Sequence, residues 1–349
     1  MSFKVTVLPS GKQFSMQTGE SVLDAALRTH VVLPYGCRNG ACGSCKAQVL
    51  SGQVTQGPFQ TSALSVAERA EGYALMCCAQ AQSDLTVQAR ILLGAGDIPV
   101  RKMPCRIAAI DYPVPDVAIL KLQLPAAERL QFLAGQYIDV LLKDGARRSY
   151  SIAVAPHEVE DGLELHVRHL SGGRFTDPLF GATQPATKMR DILRFEGPLG
   201  TFFLRTESTK PIVFVVSGTG FAPVRAIIED MRFKGIGRPI SLYWGGRRPA
   251  DLYSDALARQ WAEQISDFRY VPVVSDQRAG DEWSGRTGLV HLSVLEDFPD
   301  LSEFQVYACG APAMVDAARR DFVGLGELPA QEFFADAFVS AADLAGFLP

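Results

Sequence analysis

The 349-residue sequence predicts a multidomain chain with three fold classes in series: a small α+β unit, an all-β antiparallel barrel and a doubly wound α/β domain. Three observations support this prediction. Four cysteines stand at characteristic spacings near the start, short alternating strands fill the middle, and apolar strands alternate with helices from Lys210 onward. One compact core cannot serve a chain of this length. We predict domains at 1–94, 105–206 and 207–349, with a linker at 95–104.

Composition narrows the class of protein. Apolar residues make up 47% and charged residues 21%, which is ordinary for a soluble globular chain, and the net charge of −4 does not favour a nucleic-acid partner. No apolar run approaches the roughly 20 residues of a membrane span, and Met1–Val7 is typical of a strand rather than a signal segment. Seven cysteines, an odd number, argue against a disulfide scaffold. We expect a cytoplasmic protein with no membrane partner.

The first unit begins with a predicted hairpin, because Phe3–Leu8 alternates and a turn follows. Ser21 and Ser65 each start a short helix with a capping-box pattern. A strand is expected at Lys46–Leu50, and Asp84–Ala89 is expected to close the sheet.

The cysteine spacing is the most specific signal. Cys37, Cys42 and Cys45 form C-x4-C-x2-C, and Cys77 follows after 31 intervening residues. This is the plant-type [2Fe–2S] pattern, so we predict these four thiolates as the cluster ligands. A structural zinc site is the alternative, although zinc ligands usually come as two short-spaced pairs. Cys78 is interpreted as a small buried residue rather than a ligand. The order of hairpin, helix, cysteine loop and further strands resembles the β-grasp fold of plant-type ferredoxins.

Two further patterns define the remaining domains. Short strands with turn signals between them predict the antiparallel barrel; they are Val117–Leu122, Gln136–Leu142, Gly162–Leu170 and Asp191–Phe195. After Lys210 a buried parallel strand is expected first, since the run is continuously apolar. The α/β elements are strands at 211–216, 239–244, 268–274 and 304–309 and helices at 223–234, 254–265 and 311–323.

Arg148-Ser149-Tyr150-Ser151 opens a barrel strand. Arginine offers a planar fork that matches phosphate oxygens, and tyrosine offers a flat amphipathic face. The run resembles the R-x-Y-S motif of the ferredoxin–NADP reductase superfamily. The resemblance implies that Arg148 pairs with the flavin pyrophosphate, that Tyr150 packs on the isoalloxazine, and that Ser151 hydrogen-bonds near the reactive N5. A solvated arginine on an ordinary strand is the alternative.

A second segment resembles the flavin-binding region of the same superfamily. There a glycine turn leads into a helix whose N–H groups hold the pyrophosphate. The positions that this resemblance assigns to the flavin are His166, Val167, Arg168, Gly172, Gly173, Phe175 and Thr176. Gly197–Phe202 resembles the segment that ends the superfamily's barrel, and the three motifs occur in the family's order.

The predicted dinucleotide turn follows the first buried strand. Gly218, Thr219, Gly220 and Pro223 form G-x-G-x-x-P, a variant that the superfamily uses, and the glycines allow backbone to approach a pyrophosphate closely. Further on, Cys309-Gly310 stands in a C-G-x-P segment, which resembles the one that brings a cysteine to nicotinamide C4. In isolation Cys309 fits a buried apolar residue equally well. We predict three catalytic residues: Tyr150, Ser151 and Cys309.

The expected dinucleotide is NADH. Arg247 and Arg248 lie where the adenosine ribose is expected, and arginines there can bind the 2′-phosphate of NADPH. An arginine in this loop also occurs in NADH enzymes of the group, followed by an Asp-Leu-Tyr segment like Asp251-Leu252-Tyr253. We therefore expect NADH rather than NADPH.

Essentially the whole chain resembles reductases that feed bacterial multicomponent oxygenases, such as those of phenol and methane monooxygenases. It is more similar still to the CDP-6-deoxy-Δ3,4-glucoseen reductases of deoxysugar pathways. The segments with this likeness are Gln136–Asp139, Arg147–Ala153, Gly197–Phe203, Gly218–Val224 and Phe333–Phe338. The resemblance implies that NADH gives a hydride to FAD, that FAD passes single electrons to [2Fe–2S], and that the cluster reduces a redox protein, either a pyridoxamine-phosphate-dependent dehydrase or an oxygenase component.

Two expectations concern the rest of the molecule. Phe334 and Phe338 lie where C-terminal aromatic residues could cover the flavin or gate the nicotinamide, and core packing explains them equally well. We expect a monomer. A function of another class, a non-enzymatic electron carrier with a vestigial flavin domain, is disfavoured by the intact flavin and dinucleotide motifs.

Overall fold

The computed structural model describes residues 2–92 and 98–339. The chain divides into two compact units: the first contains Met1–Pro99, Gly200–Phe202 and Ala335–Pro349, and the second contains Val100–Leu199 and Phe203–Phe334. The predicted barrel and α/β domain therefore share one unit. Residues 95–97 of the predicted linker lie outside the described residues.

The first unit is a mixed sheet with two short helices. Its strands are β1 (Phe3–Leu8), β2 (Lys12–Met16), β3 (Lys46–Ser51), β4 (Val54–Gln56), β5 (Tyr73–Leu75), β6 (Ala79–Ala81) and β7 (Leu85–Gln88), and its helices are α1 (Val22–Arg28) and α2 (Val66–Ala70). The main sheet has the order β2-β1-β7-β3-β5, and β4 pairs with β6. This is the α+β architecture that the sequence predicts.

One detail of that sheet differs from the prediction. The strand expected to close the sheet, β7, lies at its centre, parallel to β1 and antiparallel to β3. Both its apolar side chains, Leu85 and Val87, are buried, which an edge position would not achieve. Chain order does not fix spatial order when a strand returns to the middle of a sheet.

Helix caps form where the sequence places them. The Ser21 hydroxyl accepts the Asp24 N–H at 3.0 Å at the start of α1. At α2, Ser65 and Glu68 form the reciprocal capping box. Each cap satisfies donors that a helix N-terminus leaves unpaired, and it fixes where the chain enters the helix.

The barrel occupies the first half of the second unit. Its elements are β8 (Arg101–Val114), β9 (Val117–Gln123), β10 (Tyr137–Leu141), β11 (Arg147–Ser151), β12 (Leu163–Arg168), α3 (Thr176–Leu179) and β13 (Ile192–Leu199). The strand order is β11-β10-β13-β8-β9-β12, and an antiparallel bridge between Ile152 and Leu165 joins the two ends. Ile107, Leu120, Ile138 and Phe195 are among the fully buried side chains that fill the interior.

The barrel begins earlier than expected. Strand β8 starts at Arg101, inside the predicted linker, and Met103, Cys105 and Ile107 on it alternate into the core. Pro104 obscured this strand in the sequence, because proline usually marks a loop. The side chain of Pro104 is exposed, so the strand accommodates it without interrupting the apolar face.

The α/β half follows. Its elements are β14 (Ile212–Ser217), α4 (Phe221–Lys234), β15 (Ile240–Gly246), α5 (Asp255–Gln264), β16 (Phe268–Val274), β17 (Arg286–Thr287), α6 (Val290–Asp297), β18 (Gln305–Gly310), α7 (Pro312–Gly324) and β19 (Phe333–Ala337). The sheet order is β17-β16-β15-β14-β18-β19. The first strand, β14, is parallel to β15 on one side and to β18 on the other. The direction of winding therefore changes at β14, where doubly wound folds bind ligands.

Helix α6 is absent from the sequence prediction. Its N-cap residue is Leu289, which offers no side-chain cap, so the usual start signal is missing. Two strands, β17 and β19, were likewise unpredicted. Among the described residues, no helix has both the length and the apolar character needed to cross a bilayer.

Charged side chains join the barrel to the α/β half within the second unit. Arg168 of β12 bonds Asp251 at 2.8 Å, and Arg225 of α4 bonds Glu164 of β12 at 2.7 Å. The Arg225 guanidinium also donates to the Ala153 carbonyl. These contacts are largely buried, so breaking one would leave an uncompensated charge.

Substitution of Gly220 tests the close packing of backbone that follows β14. A Cβ there would stand 2.6 Å from the Cys309 carbonyl carbon and 2.9 Å from the Gly310 nitrogen. We expect Gly220→Ala to reduce the free energy of unfolding by about 1–3 kcal/mol, because backbone must move apart. Thermal unfolding followed by circular dichroism measures this. Gly237→Ala is the matched control, since nothing lies within 4 Å of its Cβ position; equal melting temperatures for the two variants would contradict the close approach.

Candidate functional site

The four predicted cluster cysteines come together in the first unit. Cys37, Cys42 and Cys45 lie on the irregular loop between α1 and β3, and Cys77 lies between β5 and β6. Cys42 and Cys45 are buried, whereas Cys37 and Cys77 are half-buried. Residues distant in sequence thus face one small volume.

The four sulfurs approach one another as two pairs. Cys37 contacts Cys42, and Cys45 contacts Cys77. The hydrogen bond that each receives from its partner lowers the pKa of the Cys42 and Cys77 thiols, so one thiolate of each pair is favoured. Among the described residues, no group of three or more histidine, cysteine, aspartate or glutamate side chains converges on one metal position. Two pairs of thiolates fit a dinuclear cluster in which each iron takes two of them.

Backbone N–H groups of the loop point at the sulfurs. The Cys37 N–H donates to Cys42 Sγ at 3.4 Å. The N–H groups of Asn39 and Ser44 bond the sulfurs of Cys37 and Cys42 respectively. Such bonds stabilise negative charge on the sulfurs and tune the potential of a bound cluster. The residues present therefore fit the [2Fe–2S] group.

Gly40 lets the loop close around that volume. Its φ is +80°, and a Cβ there would stand 2.7 Å from the Pro58 carbonyl oxygen. Its N–H bonds the Cys77 sulfur, and its carbonyl accepts the Gln60 N–H at 3.0 Å. Both the left-handed backbone and the close approach require glycine.

Cys78 stays outside the two pairs. Its sulfur lies 3.5 Å from that of Cys77, and the side chain is half-buried. Its hydrogen bond contributes to the lowered pKa of the Cys77 thiol. The assignment of Cys77 as ligand and Cys78 as neighbour stays a prediction.

The predicted flavin motif lies on β11. Ser151 is buried, and among the described residues its hydroxyl has no hydrogen-bond partner. An orphaned buried hydroxyl needs an explanation, and a polar ligand atom supplies one. Ser149 donates to Asp139 Oδ1 at 2.6 Å, and Arg148 bonds only the Arg147 carbonyl at 2.7 Å, with no carboxylate partner in the described part of the chain. The guanidinium is therefore available to an anion.

The structure brings Tyr150 to the second flavin segment. The Tyr150 and Phe175 rings lie 5.3 Å apart. Gly172, at φ +79°, forms the predicted turn into α3, and its N–H donates to Asp177 Oδ2 at 3.1 Å. The Thr176 hydroxyl donates to the Leu170 carbonyl at 2.8 Å, which closes the turn containing Gly173. These residues fit one end of a flavin site.

Three other predicted flavin residues are engaged with protein partners. His166 is buried, with its ring nitrogens 2.7 Å from the Tyr253 hydroxyl and 3.0 Å from Glu164 Oε1. Burial lowers its pKa, which favours a neutral imidazole. Val167 packs in the barrel core, and Arg168 bonds Asp116 and Asp251. A cofactor contact from this segment would have to come from its backbone.

The dinucleotide turn and the predicted nicotinamide cysteine meet at the sheet's switch point. Gly218–Gly220 follows β14, and Cys309 and Gly310 end the adjacent strand β18. The Ser217 hydroxyl accepts the Ala311 N–H at 2.9 Å, a link that sequence reasoning missed. Thr219 is buried, Pro223 lies in the first turn of α4, and Cys309 is fully buried. Close backbone packing at this point fits a dinucleotide pyrophosphate.

The two arginines after β15 have different surroundings. The Arg248 guanidinium forms two bonds with the Asp281 carboxylate, whereas the Arg247 side chain is 70% exposed, with Nε 3.5 Å from Asp251. Sequence reasoning missed Asp281, because no motif or periodicity marks it. Asp251 belongs to the recognised Asp-Leu-Tyr segment. Its carboxylate accepts the Arg247 and Arg248 N–H groups, and the sequence did not predict these bonds.

The C-terminal aromatic residues stay predictions. Phe334 is half-buried, its ring lies 4.8 Å from that of Tyr307, and the Arg205 guanidinium lies 4.5 Å from its centre. These contacts support the packing alternative for Phe334. Phe338 is half-buried.

Comparison with known proteins assigns a cofactor class to each part of the chain. Residues 5–82 match the 2Fe-2S iron-sulfur cluster binding domain, residues 104–204 the oxidoreductase FAD-binding domain, and residues 214–320 the oxidoreductase NAD-binding domain. The predictions of [2Fe–2S], FAD and a nicotinamide dinucleotide are confirmed. Individual site residues stay predictions.

Three relatives extend over nearly the whole chain. The CDP-6-deoxy-L-threo-D-glycero-4-hexulose-3-dehydrase reductase of Yersinia pseudotuberculosis is 43% identical over 97% of this chain and 99% of its own. Reductase component 1 of the terephthalate 1,2-dioxygenase of a Comamonas species is 34% identical over 98% of both chains. The crystal structure of the Amycolatopsis cytochrome P450 reductase GcoB superposes with a TM-score of 0.76 at 34% identity, over 97% of this chain and 99% of that one.

Substitution of Gly40 tests the cysteine loop. We expect Gly40→Ala to abolish iron incorporation, because strain and a clash with the Pro58 carbonyl push Cys77 away from its partners. Iron content per chain and visible absorbance measure this. Gly19→Ala has the same left-handed strain, at φ +86°, but no atom within 4 Å of the added Cβ, so it should retain iron. Full iron content in Gly40→Ala would show that the loop does not need this approach.

Proposed function

Because the chain belongs to the family of iron–sulfur flavoprotein reductases that includes a deoxyhexulose dehydrase reductase and oxygenase reductase components, we propose that it delivers electrons from NADH to a deoxysugar dehydrase. The observation that favours this acceptor is the 43% identity to the dehydrase reductase over 341 residues. The oxygenase reductase component of similar coverage reaches 34%. Both likenesses extend over the whole chain, so domain content alone does not separate them.

Residues of the chain would position the cofactors. When bound, FAD accepts a hydride from NADH and releases electrons singly to the cluster. Arg148 would hold the flavin pyrophosphate, since its guanidinium has no carboxylate partner in the described residues. The Ser151 hydroxyl would hydrogen-bond near the flavin's reactive edge, which gives its orphaned donor a partner. Tyr150, packed against Phe175, would offer its ring to the isoalloxazine.

The dinucleotide would lie across the switch point of the α/β sheet. The N–H groups around Gly218–Gly220 precede α4, a 14-residue helix whose N-terminus favours negative charge. Cys309 and Gly310 end the neighbouring strand and would meet the nicotinamide. NADH is the proposed donor because Arg248 is bound to Asp281.

The cysteine loop would hold the cluster at the outlet of the electron path. Cys37 with Cys42, and Cys45 with Cys77, would each bind one iron. Loop N–H groups bond the sulfurs and would stabilise the added electron. A reducing compartment such as the cytoplasm suits these ligands, and all seven cysteines are free of disulfides. We propose a monomer, since one chain contains all three cofactor domains.

An oxygenase component is the second candidate acceptor. The terephthalate dioxygenase reductase component and the cytochrome P450 reductase GcoB are both 34% identical over nearly the full chain. The two acceptors are separated by presenting the reduced protein with a purified pyridoxamine-phosphate-dependent dehydrase and with a purified oxygenase component. Faster turnover with the oxygenase would overturn the proposed acceptor while leaving the reductase assignment intact.

Removal of one cluster ligand tests the division of labour between the cofactors. We expect Cys42→Ser to lose the iron–sulfur absorbance and the reduction of a one-electron protein acceptor, while NADH–ferricyanide activity from the flavin continues largely unchanged. Cys78→Ser is the matched control, since Cys78 stands outside both sulfur pairs and should retain both activities. Loss of ferricyanide activity in Cys42→Ser, with the fold intact, would contradict this order of electron flow.

A second substitution tests the flavin assignment. We expect Arg148→Ala to weaken FAD binding by about 1.5–3 kcal/mol, roughly a 10- to 150-fold rise in Kd, because a charged hydrogen bond to phosphate is lost. Reconstitution of deflavinated protein with FAD measures it. The neighbouring Arg147, which pairs with Glu196 at 2.9 Å, provides the control Arg147→Ala, expected to bind FAD normally. Equal affinity in the two variants would place the pyrophosphate elsewhere.

A further inference from the structure

The loop after β16 lies directly against the turn that ends β15. The Ser275 N–H donates to the Gly246 carbonyl at 2.9 Å, and the Asp276 N–H donates to the Arg247 carbonyl at 2.9 Å. Two backbone bonds therefore fix this loop beside the turn that contains Arg247 and Arg248. Any ligand group that enters at Arg247 and Arg248 also meets the side chains of the loop.

Asp281 on that loop holds Arg248. The Arg248 Nε donates to Asp281 Oδ2 at 2.8 Å, and its Nη2 bonds Oδ1, so the guanidinium and carboxylate meet in a fork. The Arg278 N–H donates to Asp281 Oδ2 at 2.9 Å. The Asp281 side chain is only 13% exposed and that of Arg248 is 32% exposed. The bond from Arg248 keeps the pKa of Asp281 below its ordinary value, so the carboxylate is charged at neutral pH.

The other charges of the turn are also matched. Asp251 accepts the Arg247 and Arg248 N–H groups at 2.8 and 3.2 Å through one carboxylate oxygen. Its other oxygen bonds Arg168 at 2.8 Å. Arg278 lies 3.4 Å from Asp276. Among the described residues of this turn and loop, Arg247 is the cation that solvent reaches most easily.

This position matters for the choice of dinucleotide. In doubly wound folds the adenosine ribose lies near the end of the strand beside the first one, where an acidic residue suits a 2′-hydroxyl and a nearby arginine accommodates a 2′-phosphate. Here that strand is β15, which is paired with β14 and ends at Gly246. A phosphate dianion arriving at Arg248 would have to displace a bidentate carboxylate and then remain beside it, at a cost of like-charge repulsion.

We propose that Asp281 is a specificity-determining residue that withholds Arg248 from a 2′-phosphate and so weakens the binding of NADPH relative to NADH. The inference rests on the proposed function, since it assumes that a nicotinamide dinucleotide binds at the switch point. Selectivity then comes from an acidic residue 33 positions from the arginine, on a different loop. The sequence favours NADH, but it does not show that Asp281 is the partner of Arg248, because the two residues lie on different loops.

The test is equilibrium binding to the full-length, cofactor-loaded protein. Isothermal titration with 2′,5′-ADP and with 5′-ADP separates recognition of the 2′-phosphate from recognition of adenosine. We expect Asp281→Asn to tighten 2′,5′-ADP binding by at least roughly 10-fold, since a charged contact becomes available, with 5′-ADP binding changed less than about twofold. The asparagine keeps the volume and can still accept the Arg278 N–H.

Two companion variants identify the cause. Arg248→Ala/Asp281→Asn should lose the gain, because the proposed phosphate ligand is gone. Asp276→Asn removes a neighbouring carboxylate that is 58% exposed and should leave the ratio unchanged. An unchanged ratio in Asp281→Asn, a gain that persists in the double variant, or an equal gain in Asp276→Asn would each overturn the proposal. Melting temperatures within a few degrees of wild type exclude misfolding as the reason.

A readout on the wild-type protein separates this proposal from the proposed function. If NADH fails to bleach the flavin absorbance of the wild type, the reductase assignment itself is wrong. If NADH bleaches it and the Asp281→Asn ratio does not move, the reductase assignment remains and only the role of Asp281 is overturned.

Discussion

Close approach of backbone to backbone, at positions where glycine has no side chain, is the constraint on which both the cysteine loop and the turn after β14 depend. At Gly40 the left-handed backbone and the nearby Pro58 carbonyl let an N–H group reach the Cys77 sulfur. At Gly220 the ends of two parallel strands pack with no room for a Cβ. At Gly40 the donor that reaches the sulfur is a main-chain N–H, which does not titrate, and at Gly220 the close contact is likewise between main-chain atoms. A site that is already ordered in this way loses little conformational entropy when a ligand binds.

Charge is handled by pairing rather than by exposure. The imidazole of His166 is buried between Glu164 and Tyr253, and Arg168 shares Asp251 with the turn after β15. These links tie the barrel to the α/β half, which explains why the two predicted domains form one unit. Arg148 stands apart from this pattern, because in the described residues it has no carboxylate partner. Among the described residues, Arg148 has no acid partner and the buried Ser151 hydroxyl on the same strand has no hydrogen-bond partner, and such unsatisfied groups are expected where an anionic ligand binds.

Much of the fold was predictable because its signals are local. The apolar run of β14, the glycine turn after it and the capping box at Ser65 each lie within a few residues, and each formed as expected. The predicted cluster ligands also rest on a signal that is read directly from the sequence, the spacing of four cysteines. The central place of β7 was not, because spatial order depends on long-range pairing. Helix α6 lacks a side-chain cap, and Asp281 lies 33 positions after its partner Arg248, with no periodic pattern between them.

The shared second unit has a thermodynamic consequence. The FAD-binding and NAD-binding family regions lie almost entirely in this one compact unit, so a ligand that binds either of them stabilises the folded form of both. Loss of flavin in a cell would therefore shorten the lifetime of the dinucleotide site as well. If one of the two halves were exchanged between relatives, the ion pairs that join it to the other half would have to be re-formed at the same time. This requirement restrains modular evolution within this part of the chain.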